Sequence, residues 1–520
     1  MFRSSREVWL TVGLLLAVTG CSKRGPAVAT PIATHVLHVS QRNEPGDLDP
    51  AHVTLPDEFF VIRALSEGLL TPNPSGGEPL PAAAERYEIS ADRLTYTFHL
   101  RDARWSDGEP VTADDFVASY RRVLTPGTAS PKANVFFPVK HARDFLRGAI
   151  TDFYAVGFRA TDAHTLVVTL AQPNPRFLFY VASGPWIPTN PRVVEKFGRA
   201  WTRPENFVGN GPYVLAEWRP QQRIVVRKNP AYHDTAAVLL DEIQFLRFDD
   251  GDSEERSFRT GQVDVTMDVP RTKLAVYAKD HPDELHSIGL AETRFLTFNT
   301  QRSSLTDARV RRALSLTIDR QRIVEHVTLG GQQPAVRLVP PALAIAEANQ
   351  KAQAGDSTEA RQLLAAAGFP DGKNFPKLEL SAWSQSQVPV LEAIQQMWKQ
   401  ELGIEVGIVV RDVKVHVAAL MAGNYDIGFI TAIPDVADAA DLLNRFAASA
   451  PENYPHWTDT AYDQALAVGD YAAAESRLLE SAAIAPLYFN SHHWLQSPHV
   501  NGWREDALWT RYYTSVSIDR

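Results

Sequence analysis

Residues Tyr96–Phe116 read YTFHLRDARWSDGEPVTADDF, and most of the fold follows from this stretch and its surroundings. Leu94, Tyr96, Phe98 and Leu100 alternate with polar residues, which is the period of a strand with one buried face. Ser106-Asp-Gly108 is a turn signal. Thr112-Ala-Asp-Asp115 then has the spacing of a capping box, and Phe116, Tyr120 and Val123 follow at helical intervals. A strand, a turn and a capped helix within one short segment belong to a mixed α and β chain.

The same grammar continues outward. Leu166, Val168 and Leu170 alternate as a second strand, and Gly209-Asn-Gly-Pro212 is a turn cluster ahead of a strand pair, Tyr213 to Leu215 and Ile224 to Val226. Further on, Asp307 is placed to cap a helix with Val310, Leu314 and Ile318 on one line. Asp319 is placed to cap another carrying Ile323, Val324 and Val327. Glu359 to Ala367 reads as a helix stopped by Gly368. Leu391 to Leu402 reads as one closed by Gly403, with a strand from Ile404 to Val410. Helix–Gly–strand order of this kind predicts α/β lobes joined by strands that cross between them.

Ahead of this body stands an export signal. Arg3 and Arg6 precede an apolar run of about eleven residues, Val8 to Val18, against the roughly 20 that a spanning helix needs. Val18-Thr-Gly-Cys21 resembles the bacterial lipobox, and Cys21 is the only cysteine, so it can form no internal disulfide. Lipid on Cys21 would hold a soluble body at a membrane. Ser22 to Thr34 is a flexible tether. The 44% hydrophobic fraction suffices for large cores, and a net charge of −9 argues against a nucleic-acid partner.

The chain lacks a Gly-x-Ser-x-Gly elbow and a His-Glu-x-x-His helix, and Gly368 to Lys373 is too short for a phosphate-binding loop. His492 and His493 are neighbours on an expected strand, so they face opposite ways and do not share a metal. The tryptophans, 11 in all, are read as core packing before sugar stacking. No enzyme activity, metal or cofactor is expected.

Several segments resemble bacterial extracellular solute-binding protein family 5, the oligopeptide- and dipeptide-binding lipoproteins of ABC importers. They are Gly46-Asp-Leu-Asp-Pro50, Ser66-Glu-Gly-Leu-Leu70, the Tyr96–Phe116 stretch, Gly209-Asn-Gly-Pro-Tyr213, Arg227-Lys-Asn-Pro-Ala-Tyr232, Asn299, Val310-Arg-Arg-Ala-Leu314 with Ile318-Asp-Arg320, and Ile484-Ala-Pro-Leu-Tyr488. They run in family order from about residue 40 to the end. The resemblance implies a periplasmic-binding-protein-like two-lobed clamshell of type II, in the three-domain peptide-binding form. It implies a signal peptide over 1–20 and a tether over 21–34. Domain I would take 35–72, 190–289 and 487–520, domain II 73–189, and domain III 290–486. The partners implied are a short peptide, permease subunits with a separate ATPase, and a membrane reached through Cys21. A monomer in the periplasm or cell envelope is expected.

A receptor for varied peptides binds what all peptides share: the backbone, an ammonium and a carboxylate. The family pairs the ligand with short protein segments and gives its ammonium to an Asp. Here the resemblance assigns Asp435 to the ammonium, seven residues before Leu442. It assigns Thr431, Ala432 and Ile433 to the ligand backbone, with Val53, Thr54 and Leu55 opposite from the other lobe. Read alone, Asp435 after Pro434 is an ordinary helix cap, with Asp438 completing a capping box. Phe429 stands where relatives often carry an Arg, Ala432 where they carry a Trp, and Lys132 where they carry a Tyr that touches the ligand. Lys132 is read either as a solvated lysine or as a partner for an acidic ligand group. The runner-up ligand class is an oligosaccharide or a metal chelate on the same fold.

Overall fold

In the computed structural model, which describes residues 35–343 and 357–519 apart from Arg42, Thr54, Pro56 and Asp57, the alternation around Phe98 is a strand, Thr95–Leu100. Tyr96, Phe98 and Leu100 are buried on one face. The strand lies between Ala84–Ile89 and Thr165–Thr169 in a four-stranded antiparallel sheet completed by Phe158–Asp162. The helix that follows spans Ala113–Leu124. The Asp115 carboxylate accepts the Thr112 N–H at 2.9 Å and the Trp105 indole N–H at 3.1 Å, tying the turn to the helix start. Trp105, Phe116, Tyr120, Phe136 and Trp186 form the centre of this first core.

A second core gathers three distant parts of the chain. Its sheet holds Val36–Gln41 parallel to Glu242–Arg247, followed by Arg223–Lys228 and Tyr213–Arg219. Trp494, Trp503 and Tyr513 from the C-terminal end pack into it. Two glycines dock this unit on the Glu58–Leu65 helix: a Cβ on Gly209 would meet the Leu65 carbonyl oxygen at 2.1 Å, and one on Gly211 the Leu65 carbonyl carbon at 2.5 Å. Asn210 between them clasps the Glu67 backbone, accepting its N–H at 3.1 Å and donating to its carbonyl at 3.0 Å. The turn motif is therefore a close-approach device.

The third part carries a six-stranded mixed sheet with cores on both faces. Its order is Gln333–Pro334, Ile484–Leu495, Leu285–Phe298, Ile427–Ala432, Leu378–Ala382 and Val406–Val410. Leu285–Phe298 and Ile484–Leu495 pair along most of their lengths, with a register shift between Gly289 and Thr293. Their near ends feed the second core through Trp494, and their far ends feed the third through Leu296, Phe298 and Leu487. These paired strands are the crossing connection of a two-lobed, type II clamshell. Asp307 and Asp319 cap their helices by accepting the Arg309 and Arg322 N–H groups. Two motif arginines anchor the strand return: Arg311 donates to Leu305, Thr306, Ser481 and Ala482 carbonyls, and Arg320 to the Pro486 carbonyl at 2.6 Å.

The helix after Asp319 is shorter than its apolar line: α geometry holds from Arg320 to Ile323 and gives way to a π turn over Val324–Thr328. The Val388–Leu402 helix ends as expected at Gly403, in the left-handed region at φ 68°. His492 and His493 turn opposite ways: His492 meets the Met267 carbonyl at 2.6 Å and lies 3.1 Å from Glu505, while His493 meets the Gly330 carbonyl at 2.7 Å. The signal segment, Cys21 and the tether lie outside the described residues. Among the described residues no helix is long and apolar enough to cross a membrane.

Candidate functional site

The site grows from the Ile427–Ala432 strand. One edge is fully paired: Ile427 to Ala432 face Phe298 to Thr293 in antiparallel register. The other edge is paired only at its start, where Ile427 and Gly428 meet Leu380 and Ser381. Past Gly428 the ladder ends, and an imidazole nitrogen of His416 lies 3.0 Å from the Phe429 carbonyl oxygen. The strand thus reaches Thr431 and Ala432 with one edge outside any ladder. Ile433 is 38% exposed just beyond.

Pro434 then turns the chain and Asp435 follows. Its N–H donates to the Asp441 carboxylate at 2.7 Å. The helix cap reading moves three residues on: Asp438 is the N-cap of Ala439–Leu443 and accepts the Ala440 N–H at 3.1 Å. The Asp435 side chain is left to cross the seam between the lobes. Lys132, which precedes the short Ala133–Phe136 turn of the first core, donates its ammonium to Asp435 Oδ1. Asn134 Nδ2 stands 3.5 Å from Oδ2, and Arg445 Nη2 approaches from the same side as Asp435 at 3.7 Å.

The electrostatics follow from this arrangement. Burial alone would raise the Asp435 carboxyl, but the Lys132 ammonium and then the Arg445 guanidinium outweigh it and hold the group below the usual carboxylate range. Asp441, deeper in, is pushed up to about 6 by burial and by the neighbouring Asp435 charge, against the pull of Arg445. A second strut crosses nearby: Arg176 donates to the Ala437 carbonyl at 3.1 Å and lies 3.8 Å from the Asp438 carboxylate. Burial raises the Asp438 carboxyl in spite of Arg176.

Of the residues singled out from sequence, Asp435 and Lys132 meet, and Thr431, Ala432 and Ile433 lead into Asp435 along one chain. Lys132 is not a solvated lysine; its side chain is 23% exposed and paired. Phe429 is fully buried beneath the Trp383 ring, 5.7 Å away between centroids. Val53 and Leu55 lie in a loop and not in a strand, and their N–H groups are taken by the Asp49 carbonyl at 3.2 Å and the Glu58 carboxylate at 2.9 Å. Val53 is buried and Leu55 is 47% exposed. Thr54 lies outside the described residues. Sequence reasoning missed Asn134, Arg176, Asp441 and Arg445. Only the four-residue spacing of Asp441 and Arg445 on one helical turn was a local signal.

Among the described residues no group of three or more His, Cys, Asp or Glu side chains is arranged to hold a metal ion. The family profile of bacterial extracellular solute-binding proteins, family 5 Middle, matches residues 78–454. The periplasmic murein peptide-binding protein of Escherichia coli (strain K12) is 32% identical over 499 residues, covering 92% of each chain. An unliganded open form of a periplasmic murein tripeptide binding protein superposes with a TM-score of 0.80 over 93% of this chain and 97% of that one, at 32% identity. A probable deoxycholate-binding periplasmic protein of the same organism is 33% identical, with 91% of each chain covered. The crossing-strand architecture, the ordered motifs and these full-length likenesses lead to one conclusion: this chain belongs to the bacterial extracellular solute-binding proteins of family 5.

Proposed function

We propose that this protein is a lipid-anchored, extracytoplasmic receptor that captures short peptides and delivers them to an ABC importer whose ATPase is a separate chain. The observation that carries the reading is the Asp435 carboxylate at the lobe seam, met there by an ammonium from the facing lobe. A carboxylate so placed suits a peptide's own ammonium in exchange for Lys132. The chain that leads to it supplies a strand edge for the peptide backbone, and relatives over the full length are periplasmic peptide-binding proteins by name.

In the proposed complex, Thr431, Ala432 and Ile433 hydrogen-bond the ligand main chain as an added strand. Val53, Thr54 and Leu55 meet the ligand from the other lobe, Leu55 through its exposed side chain. Phe429 and Ala432, on opposite faces of the strand, are buried behind the ligand in the cores that flank the sheet, and water bridges polar ligand groups. The separate cores, with two of them flanking the six-stranded sheet, support domain I over 35–72, 190–289 and 487–520, domain II over 73–189 and domain III over 290–486, with the lobes turning about the paired crossing strands. Cys21 takes the lipid and holds the body at the membrane surface.

Calorimetry of the purified body against free tripeptides, oligosaccharides and metal chelates tests this. Binding of tripeptides alone is the expected result, and binding of a sugar or chelate with no peptide response would overturn it. Labelling with radioactive palmitate in cells, lost in Cys21→Ala, is the expected result for the anchor.

A further inference from the structure

Arg294 stands on the Leu285–Phe298 strand, with Thr431 directly opposite on one side and Tyr488 on the other. Opposed residues of antiparallel strands put their side chains on the same face. Tyr488, Arg294 and Thr431 therefore form a cross-strand row, and Phe429 and Leu296 lie two places along on that face. The Trp383 ring lies beside the guanidinium, 5.2 Å from Cζ to the ring centroid, and is itself packed on Phe429 and His416.

The row has donors and lacks an anionic acceptor. Arg294 Nη1 is buried with no hydrogen-bond partner among the described residues, and so is Thr431 Oγ1 next to it. No carboxylate among the described residues lies within ion-pair distance of Arg294, and the side chain as a whole is only partly buried. Several other arginines of this part are engaged: Arg311 and Arg320 by carbonyls, Arg445 by Asp441, Arg337 by Glu475 at 2.8 Å. Leaving a buried charged donor unmet is unfavourable, since its hydration is lost and not replaced. A guanidinium presents the planar fork that fits a carboxylate in two hydrogen bonds.

We infer that Arg294, seconded by Thr431 Oγ1, receives the carboxylate of the bound ligand. This deepens the proposed peptide reading and rests on it for the choice of ligand. Thr431 and Asp435 are four residues apart on one chain, so their Cα atoms lie no more than about 14 Å from each other. A ligand with its ammonium at Asp435 and its carboxylate at Arg294 is then a peptide of about four residues or fewer if extended. The indole of Trp383 beside the guanidinium gives the carboxylate a partly desolvated setting, where the charged contact gains strength.

The same chemistry is offered by a peptide's C-terminus and by an amphipathic organic acid, so the test has arms for both. An equimolar tri- and tetrapeptide library, as free acids and as C-terminal amides, is titrated against the wild type and Arg294→Gln, with deoxycholate as the third probe. The expected result is binding of the free acids at least about tenfold tighter than the amides by the wild type, with that preference lost in Arg294→Gln and amide affinity held within about twofold. Arg294→Lys should restore part of the preference, and unchanged melting temperatures identify the loss as local. An Arg294→Gln protein that keeps the wild-type preference overturns the assignment, as does a wild type that binds acids and amides alike. Deoxycholate bound in an Arg294-dependent way with no peptide response would keep the carboxylate site and overturn the peptide reading.

Discussion

Asp49, buried, and Asp435, half-buried, are each paired with a base, and on the proposed reading the way they are held makes one a rivet and the other a landing place. Asp49 is 3% exposed in its side chain and is paired with Arg122, 73 residues on in the Ala113–Leu124 helix. Both Arg122 terminal nitrogens reach it, Nη1 at 2.9 Å, while the Ala51 N–H donates at 3.0 Å and the Trp201 indole at 3.3 Å. Asp435 is 19% exposed and is met across the seam by one lysine, with Asn134 and Arg445 at longer range. In both cases burial raises the carboxyl and the basic partner more than reverses it. The proton affinities shift in the same direction, so electrostatics alone does not tell the two apart. Partner geometry does: a planar fork backed by two further donors is costly to replace, whereas on the proposed reading a single flexible point charge is exchangeable.

The contrast is open to attack by substitution. Asp49→Ala leaves the Arg122 guanidinium partly buried without its carboxylate and should lower stability by about 3–5 kcal/mol in chemical denaturation. An unaltered denaturation midpoint would break the comparison at its structural end. Asp435→Ala should weaken peptide binding by tens-fold, the scale of about 2–5 kcal/mol for truncating a desolvated charge pair, with the melting temperature nearly unchanged. Equal affinities in calorimetry would remove Asp435 from the site. Lys132→Met takes away the internal competitor for Asp435, and peptide affinity should rise by about threefold to tenfold. A fall in affinity would assign Lys132 to the ligand instead.

The smallest effect concerns pH. Asp441 is pushed up to about 6, so the folded protein holds a proton there that the unfolded chain has lost. This group therefore adds stability as pH falls from 7 through about 6, with the gain complete near the ordinary aspartate range. Asp435 behaves oppositely: its contribution is present above the ordinary range and is lost as pH falls below it. The groups facing Asp441 are Asp435, Arg445 and, from the other lobe, Tyr180. Relative to Asp441→Asn, the wild-type melting temperature should gain about 1–2 °C between pH 7 and pH 5, read by differential scanning fluorimetry.

The fold was legible wherever a local rule decides it. Period-two alternation marked Thr95–Leu100, side-chain oxygens marked the helix starts at Asp307 and Asp319, and Gly403 marked a helix end. The motif at Gly209 was visible as a turn, while its reason, two backbones too close for a Cβ, was not. The candidate site was legible along the chain and opaque across it. Thr431 to Asp435 could be picked out, but the partner of Asp435 lies 303 residues away, and nothing local to Lys132 announces it. The cap rule could not choose between Asp435 and Asp438, because both precede the same helix; the backbone at Asp438 decides it. Val53 and Leu55 carry β-compatible side chains, yet Glu58 and Asp49 take their amides and keep them in a loop.

The most direct test of the central claim acts on the ligand and leaves the protein whole. Isothermal titration of the wild type with a tripeptide library is compared with titration by the same library acetylated at its N-terminus. If Asp435 exchanges Lys132 for the peptide ammonium, acetylation should weaken binding by at least about tenfold. Equal binding of acetylated and free peptides would contradict the account, because the carboxylate at the seam would then have no part in holding the ligand.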